Sequence, residues 1–201
     1  MYIVETLKRT FEQVTGRRPS GAQVRNRVIR RRPKAFLFRD DGRIPNNPAL
    51  PLVVYRTAVR LESAADPAAV FEQLFAKNGW GGSWRNGIYD YVHYHSHMHE
   101  VLGVARGRAC VQFGGPTGEE IDMAAGDVAI LPAGTGHQCR MASEDFLVVG
   151  AYPPAGTYDE CRGSADEHQR AIESIPATPL PEKDPVYGAK GPLPKLWSSH
   201  D

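Results

Sequence analysis

The chain has 201 residues, 41% of them hydrophobic, and a formal net charge of +1 at pH 7, which suits one domain of moderate size with its own core. No run of 18 apolar residues is present, which excludes an ordinary membrane span. Since the first 20 residues also lack the apolar segment of a secretory signal, we expect a cytoplasmic protein with no membrane partner.

Residues 1–34 differ in charge from the rest of the chain and form a basic N-terminal extension. They carry ten Lys or Arg and two acids, whereas residues 35–201 carry 14 basic and 21 acidic residues. An apolar residue recurs every three or four positions from Val4 to Val14, which predicts a helix that stops at Gly16. Clustered arginines can contact nucleic acid. A targeting leader or packing onto a partner subunit are the interpretations we favour, so we do not expect a nucleic-acid partner.

Two strands and a helix are predicted next. The segments AFLF (35–38) and LVVYRTAV (52–59) have the composition of strands, and the loop between them is rich in proline and asparagine. Asp66 is a suitable N-cap and Pro67 a suitable first helical residue. The helix should end at Asn78, which precedes a glycine.

A series of short strands follows, separated by Gly, Pro and Asp. Runs of this length and spacing are typical of an antiparallel sandwich or barrel. The predicted strands are 88–95, 100–106, 108–113, 119–123, 126–131, 137–141 and 146–152. We therefore place a β-barrel at residues 35–155.

Residues 156–201 are predicted to be a C-terminal helix and a covering tail. Ser164 is a suitable N-cap, and Glu167 stands at the capping-box position three residues later. The following segment, 176–197, is rich in proline and glycine and cannot form a sheet ladder. Its Leu, Val, Tyr and Trp side chains indicate that it lies over the barrel or over a neighbouring subunit.

The histidine-rich stretch YVHYHSHMHE predicts a metal site. Residues two apart on a strand share a face, so His93 and His95 should point the same way. If the chain turns over 96–98 and returns, Glu100 can meet both imidazoles, and His137 can join them from a distant strand. Three imidazoles and a carboxylate suit one divalent transition metal with positions left for water or substrate. We favour Fe²⁺ or Mn²⁺, with Zn²⁺ or Ni²⁺ as the alternatives.

The spacing of these residues resembles the two cupin motifs. The first is His-x-His, four residues, Glu, six residues and Gly, matched from His93 to Gly107. The second is Gly, five residues, Pro-x-Gly, two residues and His, matched from Gly126 to His137. The family pattern usually has Asn four residues later, where this chain has Met141. More narrowly, RIPNNPALP and PLPEKDPVYGAKGPL resemble the small, uncharacterised bacterial cupins of the YjlB type.

The resemblance implies a mainly all-β fold, a single antiparallel jelly-roll cupin barrel with a few short flanking helices. It also implies a divalent metal in the barrel and a homodimer, which would cover open sheet edges. It does not supply a substrate, because this fold carries many chemistries.

Further candidates lie beside the expected ligands. Tyr89 and Tyr91 share their face and either line the cavity as hydrogen-bond donors or belong to an aromatic core. His99 precedes Glu100 and either supports the carboxylate, replaces a ligand or is structural. His97, at the turn, is expected in solvent. The catalytic candidates are therefore Tyr91 and His99.

Three functions are compatible with these patterns. The first is a metal-dependent enzyme of dioxygenase or isomerase type, acting on a small organic molecule inside the barrel. The alternative is a non-catalytic cupin that binds or senses a small ligand. In a third, the metal only stabilises the fold.

Overall fold

The computed structural model describes residues 19–198. Within that range the chain forms nine strands, with short helices before, among and after them. The helices are α1 (Gly21–Arg25), α2 (Pro67–Lys77), α3 (Ala165–Ser174), followed by a 3₁₀ turn (Ile175–Ala177), and α4 (Leu193–Ser198). The strands are β1 (Lys34–Phe36), β2 (Leu52–Tyr55), β3 (Gly81–Asn86), β4 (Glu100–Arg106), β5 (Arg108–Phe113), β6 (Glu119–Ala124), β7 (Val128–Leu131), β8 (His137–Ala142) and β9 (Leu147–Tyr152).

The strands form two antiparallel sheets that enclose an apolar layer. One sheet has the order β1-β2-β7-β4-β9-β3 and the other the order β6-β5-β8. Leu102 and Val104 of the first sheet pack with Val111 and Phe113 of the second in one buried cluster. This arrangement confirms the predicted mainly-β jelly-roll fold.

Strand β4 shows how alternation separates two cores. Leu102 faces the layer between the sheets, whereas Val101 and Ala105 face a second cluster that contains Phe71 of α2. Gly103 also faces the helix, where an added Cβ would lie 2.5 Å from the ring of Phe71. By the same alternation, the first residue of β4 points into the sandwich and the residue before it points away.

Both predicted helix caps are confirmed. The Asp66 carboxylate accepts hydrogen bonds from the N–H groups of Ala68 and Ala69 at the start of α2. Ser164 and Glu167 form a reciprocal capping box at the start of α3. The helix expected between residues 4 and 14 lies outside the described residues.

The strand predicted at 88–95 is wrong. The strand that pairs with β9 is β3, which begins seven residues before the predicted one, and 88–95 makes only isolated bridges. The reason is a tertiary contact, because the indole of Trp84 lies over Gly150, where an added Cβ would be 2.1 Å from the ring. Pairing with β9 therefore outweighs the poor strand propensity of GGSWRN.

The described segments before β1 and after α3 pack onto the domain. Leu193 and Trp197 of α4 are buried in the cluster beneath α2, and the Trp197 indole donates to the carbonyl of Pro51 at 3.0 Å. In the basic segment, Arg30 and Arg31 donate to backbone carbonyls at 3.2 and 3.3 Å. Among the described residues, no helix is long and apolar enough to cross a membrane.

Candidate metal centre

Three histidines meet at one end of the sandwich. His93, His95 and His137 each offer a ring nitrogen, and these nitrogens lie within 4.8 Å of one another. All three residues are buried. His93 and His137 are held together by reciprocal backbone hydrogen bonds of 3.2 and 2.9 Å, so β8 and the segment before β4 are fixed side by side. The cluster can hold a metal ion.

The backbone sets the same tautomer in all three rings. Each Nδ1 atom faces a main-chain carbonyl, which can only accept a hydrogen bond, so the proton belongs on Nδ1. The lone pair is then left on Nε2, the form in which imidazole binds metals. The pairs are His93 with the carbonyl of Tyr91 (3.3 Å), His137 with that of Thr135 (3.2 Å) and His95 with that of Asp159.

Glu100 brings a carboxylate to the same point. Its Oε2 atom lies 3.5 Å from the Nε2 atoms of His95 and of His137. The residue is 2% exposed, and Oε2 has no hydrogen-bond partner within the described part of the chain. A buried, unpartnered carboxylate oxygen is costly, and a bound cation would satisfy it. The donor set therefore fits a divalent transition metal.

Burial and mutual repulsion keep two of the imidazoles neutral. Burial and the neighbouring His95 lower the pKa of His93, and burial with both other rings holds the pKa of His137 well below its usual value. For His95, burial opposes protonation, but the Glu100 carboxylate outweighs it and raises the pKa to about 9. Without a metal, His95 is therefore protonated at neutral pH and lies 3.5 Å from the Glu100 carboxylate.

Metal binding is expected to tighten as the pH rises from 6.5 to 9. The proton on His95 competes with the metal until the pH passes its pKa of about 9, so the apparent Kd should fall by up to about tenfold per pH unit. The metal-free protein should show the opposite trend. A pKa raised above the unfolded value of 6.5 stabilises the fold below pH 6.5, and this contribution disappears as the pH rises through 9.

Calorimetric metal titrations and thermal melts of the metal-free protein at several pH values measure both trends. An affinity independent of pH across this range would contradict the assignment of the proton to His95.

A cavity of about 520 Å³ opens beside the histidines. Tyr152 and Tyr158, which the sequence analysis did not single out, contribute to its wall. The indole of Trp84 donates to the Tyr152 hydroxyl at 2.8 Å, and burial, together with the charge of Glu100, raises the pKa of Tyr152. Other lining residues are Arg85, Asn86, Gly87, Ile88, Tyr89, His93, His95, Leu102 and His137.

Residues 157–162, which we call the 157–162 strap, hold the histidine-rich segment before β4 in place from outside the two sheets. The Asp159 carboxylate accepts hydrogen bonds from Ser96 N–H at 2.9 Å and from its hydroxyl at 2.7 Å, and its carbonyl faces His95. Cys161 and Tyr94 exchange backbone hydrogen bonds of 3.0 and 2.9 Å. Burial raises the pKa of Asp159, but the hydrogen bonds that its carboxylate accepts outweigh burial and lower the pKa.

Replacing Asp159 with alanine is expected to weaken metal binding by about 10–100-fold, as is usual when the support of a ligand is lost. The donors of Ser96 would be left without their acceptor, which should also cost about 1–3 kcal/mol of unfolding free energy. Metal titration and urea unfolding measure the two effects. Glu173→Ala, at an exposed site on α3, is the control, and an Asp159→Ala protein with unchanged metal affinity would contradict this role.

Tyr91 lies at the rim, outside the set of residues that line the cavity. Its hydroxyl donates to Glu160 at 3.1 Å, and the guanidinium of Arg162 stacks on its ring at 4.0 Å. The ring centroid is 5.6 Å from that of His93. The hydroxyl is therefore engaged with the 157–162 strap and is not directed at the centre.

His99 is turned away from the centre by strand alternation. It is fully buried, its Nδ1 accepts a hydrogen bond from the N–H of Ala133 at 2.9 Å, and its ring packs on Trp197 at 4.7 Å. It does not line the cavity, so its position supports neither a ligand role nor a catalytic one. His97, as expected for the turn, has a side chain 53% exposed.

Solved structures that match this chain do so over only part of their own length. A chain from the crystal structures of the DMSP lyases RdDddP and RnDddQII is 21% identical, with a TM-score of 0.32 over 41% of each chain. The oxalate decarboxylase of Bacillus subtilis, a protein with Mn(II) centres, is 16% identical, with a TM-score of 0.34 over 56% of this chain and 27% of that one. The chain thus spans less than half the length of these proteins.

Sequence comparison gives a relative that matches almost end to end. The family model of the cupin domain matches residues 85–149, which include all four candidate ligands. The uncharacterized protein YjlB of Bacillus subtilis (strain 168) is 40% identical over 169 residues, which cover 84% of this chain and 99% of YjlB. The chain therefore belongs to the cupins of the YjlB type.

Proposed function

We propose that this protein is a metal-dependent enzyme that acts on a small organic molecule in the cavity. The observation that carries the proposal is the position of the histidines, whose Nε2 atoms face a cavity of about 520 Å³ instead of a closed shell. Structural metal sites are closed by protein ligands, whereas catalytic sites keep a position for substrate.

The proposed ligands are His93, His95, Glu100 and His137. A mixed set of imidazoles and a carboxylate favours Fe²⁺ or Mn²⁺, with Zn²⁺ or Ni²⁺ as alternatives. When bound, such an ion polarises a substrate oxygen and, if it is iron or manganese, gives access to redox chemistry. Dioxygenase-type and isomerase-type reactions are both compatible with this site.

The remaining polar groups of the cavity are suited to orienting a substrate. Because the Tyr152 oxygen accepts from Trp84, its own proton is free to point toward Glu100 or the ligand. Tyr158 lies over His95 with ring centroids 5.0 Å apart and is 53% exposed, so it stands at the mouth. These two hydroxyls would hold a substrate oxygen near the metal and limit the entry of water.

The test is turnover by protein reconstituted with iron or manganese, beside His137→Ala. Oxygen consumption and mass spectrometry would be followed over a panel of aromatic and aliphatic compounds. Substrate-dependent turnover in the wild type that is lost in the variant supports an enzyme. Saturable binding with no product, and no oxygen uptake, would instead support the alternative of a ligand-binding or sensing cupin.

We also propose a homodimer formed along β1. This strand ends the six-stranded sheet, and Leu37 beside it is 56% exposed, so a second copy would cover an open edge. We expect light scattering to show a dimer for the wild type and a monomer for Leu37→Glu. A monomeric wild type would contradict the proposal.

A further inference from the structure

The cavity holds few charges for a substrate to meet. Among the described residues that line it, the formally charged ones are Arg85 and Glu100. Glu100 faces the histidines and would be neutralised by a bound cation. An anionic group placed away from the metal would therefore depend on Arg85 for its counter-charge.

Arg85 already forms ion pairs with two carboxylates. Its Nε and Nη2 atoms lie 2.6 and 2.8 Å from the two oxygens of Glu72, and its Nη1 lies 2.9 Å from Asp66. The guanidinium is about one-fifth exposed and its partners are similarly buried. Two negative charges accompany one positive charge, so this group would repel a further anion.

Apart from the histidines, Asn86 and Gly87, the remaining lining residues are aromatic or aliphatic, and the tyrosines add hydroxyl groups. Tyr89 stacks on Tyr91 with centroids 4.8 Å apart, and Tyr152 meets Tyr158 edge to face at 5.8 Å. The indole of Trp84 also lines the cavity and packs over Gly150 of β9. Flat ligands stack favourably on such rings, and the hydroxyls can hydrogen-bond a neutral oxygen.

The volume also argues against a very small substrate. About 520 Å³ falls within the range of roughly 300–1,000 Å³ found for pockets that enclose drug-sized ligands. A two-carbon acid would leave most of this space to water.

Building on the proposed function, we infer that the substrate is an uncharged aromatic molecule, of one or two rings, that presents a hydroxyl or carbonyl oxygen to the metal. Its ring system lies between Tyr89 and Tyr158, and its distal end carries no carboxylate or phosphate.

Three probes that share a hydroxyl test this inference by calorimetry on the metal-loaded protein. They are 2-naphthol, 6-hydroxy-2-naphthoate, which adds a distal carboxylate, and decahydro-2-naphthol, which lacks the aromatic ring. We expect 2-naphthol to bind about tenfold or more tightly than either of the others, because the carboxylate would be buried without a partner and the saturated ring cannot stack. Tyr158→Ala should weaken the binding of 2-naphthol by about tenfold, and Tyr158→Phe, which keeps the ring and loses only the hydroxyl, should weaken it less.

The outcomes separate this inference from the proposed function. Metal content is measured first, and a protein that takes up no metal contradicts the proposed function. The titrations then use the protein that holds metal, and without metal uptake the inference falls together with the proposed function. Equal or tighter binding of the naphthoate, equal binding of the saturated alcohol, or no binding of 2-naphthol would overturn the substrate class and leave a metal site intact.

Discussion

His137→Ala is expected to abolish metal binding, with a loss of affinity well above 100-fold, since the loss of supporting groups alone costs about 10–100-fold. His137 is 3% exposed, and its Nε2 lies 3.5 Å from Glu100, so its removal takes one of the four proposed donors out of a buried site. The wild type should gain thermal stability when metal is added, in proportion to the logarithm of metal concentration. The variant should show no such gain.

His168→Ala is the matched control for this substitution. His168 of α3 pairs with Asp40 at 2.8 Å and does not line the cavity, so its removal should leave metal affinity unchanged. If His137→Ala kept wild-type affinity, or if both variants lost it equally, the ligand assignment would be wrong.

Asp184→Ala is expected to be the most destabilising single change outside the centre, at about 3 kcal/mol or more. The residue is fully buried. Its carboxylate accepts the hydroxyl of Tyr55 at 2.5 Å and the N–H groups of Val186, Tyr187 and Leu193 at 2.8, 3.0 and 3.3 Å. All four donors would be left unsatisfied, and the C-terminal tail would lose its main polar anchor to the sheet.

Urea unfolding of the metal-free protein measures this loss. Asp40→Ala removes an acid that is 41% exposed and should change the unfolding free energy by no more than about 0.5 kcal/mol. A loss below about 1 kcal/mol for Asp184→Ala would show that the tail is held by apolar packing alone.

The candidate ligands could be predicted from the sequence because they follow local rules. His93, His95 and Glu100 lie within eight residues, where the alternation of side chains along an extended segment and one turn decide which side chains meet. The same alternation gives a physical reason for the position of His99, which faces Trp197 and not the cavity. The ends of strands β4 to β9 agree with the sequence prediction to within two residues, because turn residues separate these strands.

The rest of the site depends on contacts that no local pattern reveals. Asp159 reaches Ser96 across 63 positions of sequence, and the 157–162 strap follows the last strand without periodicity. Strand β3 pairs with β9 where Gly150 leaves room for the indole of Trp84. Gly150 lies far along the chain from β3, so the sequence around β3 does not reveal this pairing. Tyr158 reaches the cavity because it belongs to the 157–162 strap, whose path no local sequence pattern predicts.

Elemental analysis of protein purified without oxygen and without added metal tests the central claim most directly. The account predicts close to one transition metal ion per chain, with iron or manganese favoured, in the wild type and in His168→Ala, and almost none in His137→Ala. A wild-type protein without bound metal that also fails to take up iron, manganese, zinc or nickel on titration would contradict it.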